Sequence, residues 1–250
     1  MKALVLGDLH IEFEEFHLDN SGDYDIVILP GDIAVGDEGL VWAMENFKDK
    51  KVLYVPGNHE YYHNNFPNLL SKLKVIAENT NVAVMNNDKL IIDNTVFLGT
   101  TLWSGFDIFG DKMKNMAQAK AYINDYNIIN SYPMNIPLSP YNTLAAYEES
   151  VIWLKSELEQ HKNDKVVVIT HHAPSLDSVP EVYKNSDLTP AFVANMHHLI
   201  EDYECIRFWI HGHGHFPCDY YIGNCRVINN CRGYPHENIQ SFDKNFILDI

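Results

Sequence analysis

The chain has 250 residues, an apolar fraction of 46% and a formal charge of −16 at pH 7. Such a length and composition fit one globular domain with a sizeable core, while the acidic balance opposes non-specific binding to nucleic acid or anionic membrane. Nothing approaches the roughly 20 apolar residues of a membrane span, and the apolar run at 3–6 is too short for a secretory leader.

In chain order, a strand at 2–6 runs into a loop carrying Asp8, His10 and an acidic run from Glu12 to Glu15, which reads as solvated. A second strand at 25–29 meets Gly31-Asp32. A helix near 38–48 follows, with Leu40, Val41, Met44 and Phe47 on one face, then a strand at 51–55 that leads into Asn58 and His59. The next helix, at about 66–78, buries Leu69, Leu70, Leu73 and Ile76. Short β-type runs occupy 82–85, 89–92 and 96–100, and Asp93-Asn94 is a hairpin-turn signal.

Residues 104–143 lack strand pattern and contain Pro133, Pro137 and Pro140, with a possible helix at about 112–124. Long irregular segments in compact domains are often functional, so this stretch is expected to be a substrate-shaping insert. A helix over 141–160 precedes a strand at 165–170 that ends on His171 and His172. A helix over about 189–201 and a strand at 206–210 lead to His211, His213 and His215. Strands near 219–222, 225–229 and 246–249 close the chain. The cysteines Cys205, Cys218, Cys225 and Cys231 form no C-x-x-C pair, so free thiols and a cytoplasmic setting are expected.

Five strands therefore end on residues able to ligate metal. In mostly parallel sheets, ligands gather outside the carboxyl ends of the strands, so these ends describe one site in one domain spanning 1–250. The set Asp8, His10, Asp32, Asn58, His171, His213 and His215 combines carboxylate oxygen with imidazole nitrogen, as divalent metals that handle phosphate favour. Seven ligands suit two ions if a carboxylate bridges them at ~3.5–4 Å. Asp32 is the best bridge, because the small Gly31 lets backbone approach closely. His213 and His215 point the same way if extended. The third His position is open to a shift by one, from His171 to His172. Asp37 and Glu38 read as solvated, Glu60 as a group that orients its neighbours, and His197 and His198 as surface residues.

At these residues the sequence resembles the calcineurin-like metallophosphoesterase superfamily. The matching runs are Asp8-Leu9-His10, Gly31-Asp32, Gly57-Asn58-His59-Glu60, His171 and Gly212-His213-Gly214-His215, all in order. The resemblance implies an α/β fold of two mixed β-sheets packed as a sandwich and flanked by helices, in four layers. It implies one metal held by Asp8, His10, Asp32 and His215, and another held by Asp32, Asn58, His171 and His213. His59 becomes the catalytic histidine and a hydroxide bridging the ions becomes the nucleophile. The ions are expected to be Mn, Fe or Zn.

Phosphoprotein phosphatases of this superfamily carry an Arg soon after the bridging Asp and another just before the Asn-His pair. Residues 33–39 hold no Arg and Pro56 precedes Gly57, which disfavours that group. The expected substrate is a small phosphoester, a phosphodiester such as a nucleotide first. Phosphomonoesterase and dinucleoside polyphosphate hydrolase are the alternatives. A scaffold without metals, or a nuclease subunit recruited by a partner, are the readings of another class. Substrate-contact candidates are His172 and Arg232, and Trp103, Phe106, Tyr126 and Tyr234 are candidates to stack on a ring.

Overall fold

The computed structural model describes residues 1–18 and 22–250. Fourteen strands are described: β1 (Lys2–Val5), β2 (Ile26–Leu29), β3 (Lys51–Tyr54), β4 (Asn65–Phe66), β5 (Val82–Val84), β6 (Asp88–Ile92) and β7 (Thr95–Thr100) in the first half. The second half holds β8 (Asn130–Ser131), β9 (Ile136–Pro137), β10 (Lys165–Thr170), β11 (Ile206–His211), β12 (Cys218–Ile222), β13 (Cys225–Asn229) and β14 (Ile247–Asp249). The α-helices are α1 (Glu38–Asn46), α2 (Asn68–Ala77), α3 (Lys112–Tyr122), α4 (Asp125–Ile128), α5 (Pro140–Gln160) and α6 (His197–Asp202).

Strands such as Ile26–Leu29 and Lys165–Thr170 are almost continuously apolar because both of their faces are covered. Successive side chains point to opposite faces, and the buried residues sort accordingly. Ala3, Val5, Ile28, Leu53, Val167, Ile169 and Ile210 form one cluster between the sheets. The alternate residues Leu4, Val27, Val52, Val166, Val168 and Trp209 join a second cluster with helical residues, among them Leu40, Leu73, Leu154 and Leu199. Helix, sheet, sheet and helix thus stack as four layers.

One sheet has the order β14-β1-β2-β3-β5 and the other β12-β13-β11-β10-β7-β6. In the first, only β14 is antiparallel to its neighbour. In the second, β7, β10, β11 and β13 are parallel and the edges β6 and β12 are antiparallel. Hence β1, β2 and β3 lie side by side in one sheet, and β10 and β11 in the other, with the carboxyl ends of each set together.

The hairpin signal at Asp93-Asn94 is realised. Ile92 pairs with Thr95, and both turn residues have positive φ, 45° and 62°, as a primed two-residue turn requires. The start of α5 is also local chemistry: Pro140 is its first residue, and Asn142 Oδ1 accepts from the Ser139 N–H at 3.0 Å.

Two expectations change. The helix expected over 189–201 is reduced to His197–Asp202, with a single tighter turn at Thr189–Ala191. Between them Val193 pairs with Ala173 as an isolated bridge, and Asn195 takes φ 50°, so the apolar spacing serves a loop wall instead. Residues 104–143 contain α3, α4, β8, β9 and the first turn of α5, and β8 pairs with β4 and β9 in a small third sheet.

Candidate metal centre

Each candidate ligand sits just beyond a parallel strand. Asp8 and His10 follow β1, Asp32 follows β2, and Asn58 and His59 follow β3; His171 follows β10, and His213 and His215 follow β11. The backbone must turn hard there to aim side chains into one space. Asp8, His10, Asp32, His213 and His215 all have positive φ, between 47° and 70°, a region that costs non-glycine residues energy. Close approach needs glycine at two positions. A Cβ on Gly31 (φ +94°) would collide with the His171 ring, and one on Gly57 with Asp32 Oδ1.

The turns are tied by side chains. Asp32 Oδ1 accepts from the His59 N–H at 2.8 Å, and Asp8 Oδ1 from the His213 N–H at 2.8 Å, which joins the two sheets at the site. Glu60, fully buried, accepts from Asp32 N (3.1 Å), Ile33 N (2.9 Å), Gly57 N (2.7 Å) and the Tyr54 hydroxyl (2.7 Å). Burial and the Asp32 charge push its carboxyl up to about 7, although Tyr54 and Ile33 pull it down.

Ligand atoms converge as three overlapping groups, each within 4.8 Å: Asp8, His10 and His215; His10, Asp32 and His59; Asp32, His171 and His213. His10 Nε2 and His215 Nε2 face each other at 3.0 Å, and His171 Nε2 lies 2.8 Å from Asn58 Oδ1. Asp32 Oδ2 sits between the groups, 3.4 Å from His171 Nε2 and 3.9 Å from His10 Nε2. Asp8 Oδ2 is buried with no hydrogen-bond partner. A buried orphan carboxylate oxygen beside converging imidazole nitrogens fits a cation, so the donor set suits divalent metal.

The buried charges split the imidazoles of the cluster into two kinds. Burial drives the rings of His172 and His213 well below the usual imidazole value, with neighbouring histidines adding to the effect; neutral imidazole is the form that ligates metal. Burial opposes ionisation of Asp32, but His171, His59 and His10 around it hold its carboxyl well below the usual range. Burial also disfavours a charged His171, yet Asp32 and Asp8 raise it to about 9.

Several contacts hold the candidate ligands from behind. Glu12 Oε1 lies 3.1 Å from His10 Nδ1 and 3.0 Å from His59 Nδ1, so this carboxylate is not the solvated group expected of the acidic run. Asp125, from the insert, accepts from Asn58 Nδ2 and the Tyr62 hydroxyl, both at 2.9 Å. That leaves Asn58 Oδ1 turned to the centre. Glu237 Oε2 meets His215 Nδ1 at 2.7 Å, and Pro30 O meets His171 Nδ1 at 2.9 Å. Such partners fix ring orientation and tautomer.

His59 Nε2 lies 2.9 Å from the Tyr234 hydroxyl, and Tyr62 stacks on the ring at 4.1 Å. Burial lowers the His59 pKa, but Asp32 and Glu12 together raise it above the ordinary value.

A 460 Å³ cleft opens from this centre. Tyr122–Asp125 of the insert form one side and parts of 173–193 another. Tyr234 lines it, whereas Trp103, Phe106 and Tyr126 are core residues. The two expected substrate contacts, His172 and Arg232, are both engaged within the protein. His172 is 2% exposed and packs behind His213, ring centroids 4.1 Å apart. Arg232 spends its guanidinium on Leu9 O, Glu14 O and the Glu14 carboxylate, over the Phe16 ring. His211 is held by Ser178 Oγ at 2.9 Å, and burial lowers it to about 4. His197 and His198 lie on α6, the latter with a side chain 91% exposed.

Residues 1–217 match the family model described as calcineurin-like phosphoesterase. The chain belongs to this family, whose members are metal-dependent hydrolases of phosphoesters. An uncharacterised protein of Acanthamoeba polyphaga mimivirus is 29% identical over 215 residues, covering 80% of this chain and 74% of that one. The fold is similar to that of the phosphopantetheinyl hydrolase PptH from Mycobacterium tuberculosis, with a TM-score of 0.77 at 17% identity, over 100% of this chain and 95% of that one. A protein of Thermus thermophilus is more distant, at a TM-score of 0.51 and 11% identity over 92% and 88%. Among the described residues no helix is long and apolar enough to cross a membrane.

Proposed function

We propose that the protein hydrolyses a phosphoester of a small organic molecule or nucleotide, a phosphodiester by preference, with two divalent cations. Asp8, His10, Asp32 and His215 would hold one cation, and Asp32, Asn58, His171 and His213 the other. The observation that carries this reading is Asp32 Oδ2, which has His171 Nε2 at 3.4 Å on one side and His10 Nε2 at 3.9 Å on the other. When bound, the cations supply an activated water and neutralise charge building on the phosphoryl oxygens. Mn, Fe and Zn all suit this mixed oxygen and nitrogen donor set.

His59 is the residue of this chain that moves a proton. Its Nδ1 is engaged by Glu12, so Nε2, facing the Tyr234 hydroxyl at 2.9 Å, is the atom that would give its proton to a leaving oxygen. Asp32 and Glu12 raise the His59 pKa against burial, which favours the protonated ring that a general acid needs. Tyr62 and Tyr234 hold the ring on two sides. Asp125 keeps the Asn58 amide oriented, and the insert thereby acts on the centre as well as on the cleft.

The test is turnover of bis(p-nitrophenyl) phosphate with Mn²⁺ added. His59→Ala is expected to lower turnover by ~10²–10⁴-fold with metal content intact, and unchanged turnover removes His59 from the reaction. Asp32→Asn is expected to lower metal occupancy; two ions per chain in that variant would place the bridge elsewhere. A phosphopantetheinyl ester, the group in the name of the M. tuberculosis neighbour, belongs in the substrate screen beside nucleotides.

A further inference from the structure

The wall of the cleft is unlike the centre it leads to. Ile123, Val179, Leu188, Phe192, Val193 and Phe216 supply most of its apolar lining. Phe192 stacks on the His213 ring at 4.6 Å, so this surface begins directly at the ligand residues. Tyr122 and Tyr183 stand at the rim, 70% and 49% exposed, where an organic group leaving the cleft would pass. Tyr183 also stacks on Phe216 at 5.4 Å.

Among the described residues neither Lys nor Arg lines this cleft. The recess on the far side of His59 and Tyr234 also lacks both. The carboxylates of the cleft, Asp32, Asp125 and Glu237, are already bonded to the His59 N–H, Asn58, Tyr62, His215 and the Tyr234 N–H. Away from the histidines of the centre, a second phosphate would find no lysine or arginine there and would lie near Asp125 and Glu237. Burying an unpaired charge is strongly unfavourable, whereas an apolar group gains from every surface it covers. The cleft volume of 460 Å³ falls within the range of small-molecule sites, about 300–1,000 Å³.

We propose that the cleft selects substrates with a single phosphorus centre joined to an uncharged, apolar organic group, and discriminates against those carrying further phosphates. This rests on the phosphoester-hydrolase reading above and narrows it, placing dinucleoside polyphosphates and nucleoside triphosphates outside the preferred class.

The probes are alkyl p-nitrophenyl phosphates from methyl to hexyl, with Mn²⁺-loaded protein. Water adds to phosphorus, the P–O bond to the aryl group breaks, and p-nitrophenol and the alkyl phosphate are released. The expected result is a rise in kcat/KM of about fourfold per buried methylene over several carbons. The hexyl ester carrying a phosphate at its far end should be at least about tenfold poorer than the plain hexyl ester. Leu188→Lys should flatten the chain-length dependence and narrow that tenfold gap. Turnover that is independent of chain length, or better with the second phosphate, overturns the proposal while leaving the hydrolase reading intact.

If fully metal-loaded protein cleaves neither this series nor bis(p-nitrophenyl) phosphate, the hydrolase reading fails by itself. Calorimetric binding of methyl- to hexylphosphonate then decides the cleft. Affinity rising with chain length supports the apolar selection, and flat affinity ends it.

Discussion

Glu60 offers the sharpest test of how the turns beyond β2 and β3 are held. Its two oxygens accept four donors from Asp32, Ile33, Gly57 and Tyr54. Glu60→Ala strands all four in a space sealed from solvent. At about 1 kcal/mol for each donor left without a partner, the variant should lose about 4 kcal/mol. For a chain of this size that is a fall in Tm of about 8–16 °C, using about 2–4 °C per kcal/mol. The measurement is urea unfolding of metal-free protein in EDTA at pH 8, above the Glu60 value of about 7, so that metal affinity does not enter. Glu60→Gln keeps one oxygen acceptor and turns an NH₂ toward the remaining donors, so it should lose about half as much. With metal restored, both variants should bind it about 10–100-fold more weakly, since the Asp32 and Gly57 backbones are no longer locked together. A loss under about 1 kcal/mol for Glu60→Ala would refute the claim that this carboxylate organises the two turns.

Three further outcomes follow from other contacts. Glu12 raises the pKa of His59, so Glu12→Gln should lower it and shift the alkaline limb of the pH–kcat profile to lower pH; an unmoved limb would separate Glu12 from proton transfer. Asp125→Ala frees the Asn58 amide and should weaken metal binding by about 10–100-fold, read by competitive chelation, with unfolding in EDTA showing that the fold persists. Asn94, at φ 62°, should tolerate Gly, whereas Asn94→Val should cost about 1–2 kcal/mol by urea unfolding, because β-branched residues resist that conformation.

The strand ends were readable because they combine two local patterns, a short apolar run and a ligand-rich turn. The same holds for Asp93-Asn94, where adjacent residues determine the turn. What escaped the sequence depends on partners far along the chain. Asn58 and Asp125 are 67 residues apart, and nothing near Asp125 marks it as a brace. In the sequence Glu12 is one more acid in a polar run; in the fold His10 and His59 share its carboxylate. The cleft wall from 173–193 was hidden for another reason: Phe192, Val193 and Met196 have the spacing of a helix, but a bridge to Ala173 claims that segment for a loop. Arg232 had the right charge and position in sequence, yet the carbonyls of Leu9 and Glu14 take its donors. A signal was available for Tyr234 and Glu237, since both lie in a polar loop after a buried strand, but only the folded chain brings them to His59 and His215.

The left-handed turns at Asp8, His10, Asp32, His213 and His215 put catalysis and durability in opposition. Each confines a side-chain-bearing residue to a costly backbone region, by about 1–3 kcal/mol in typical cases. Glycine would relieve that burden but would remove the carboxylate or imidazole each position offers. A population selected only for heat resistance should therefore drift toward glycine at these positions, becoming hardier as it falls silent.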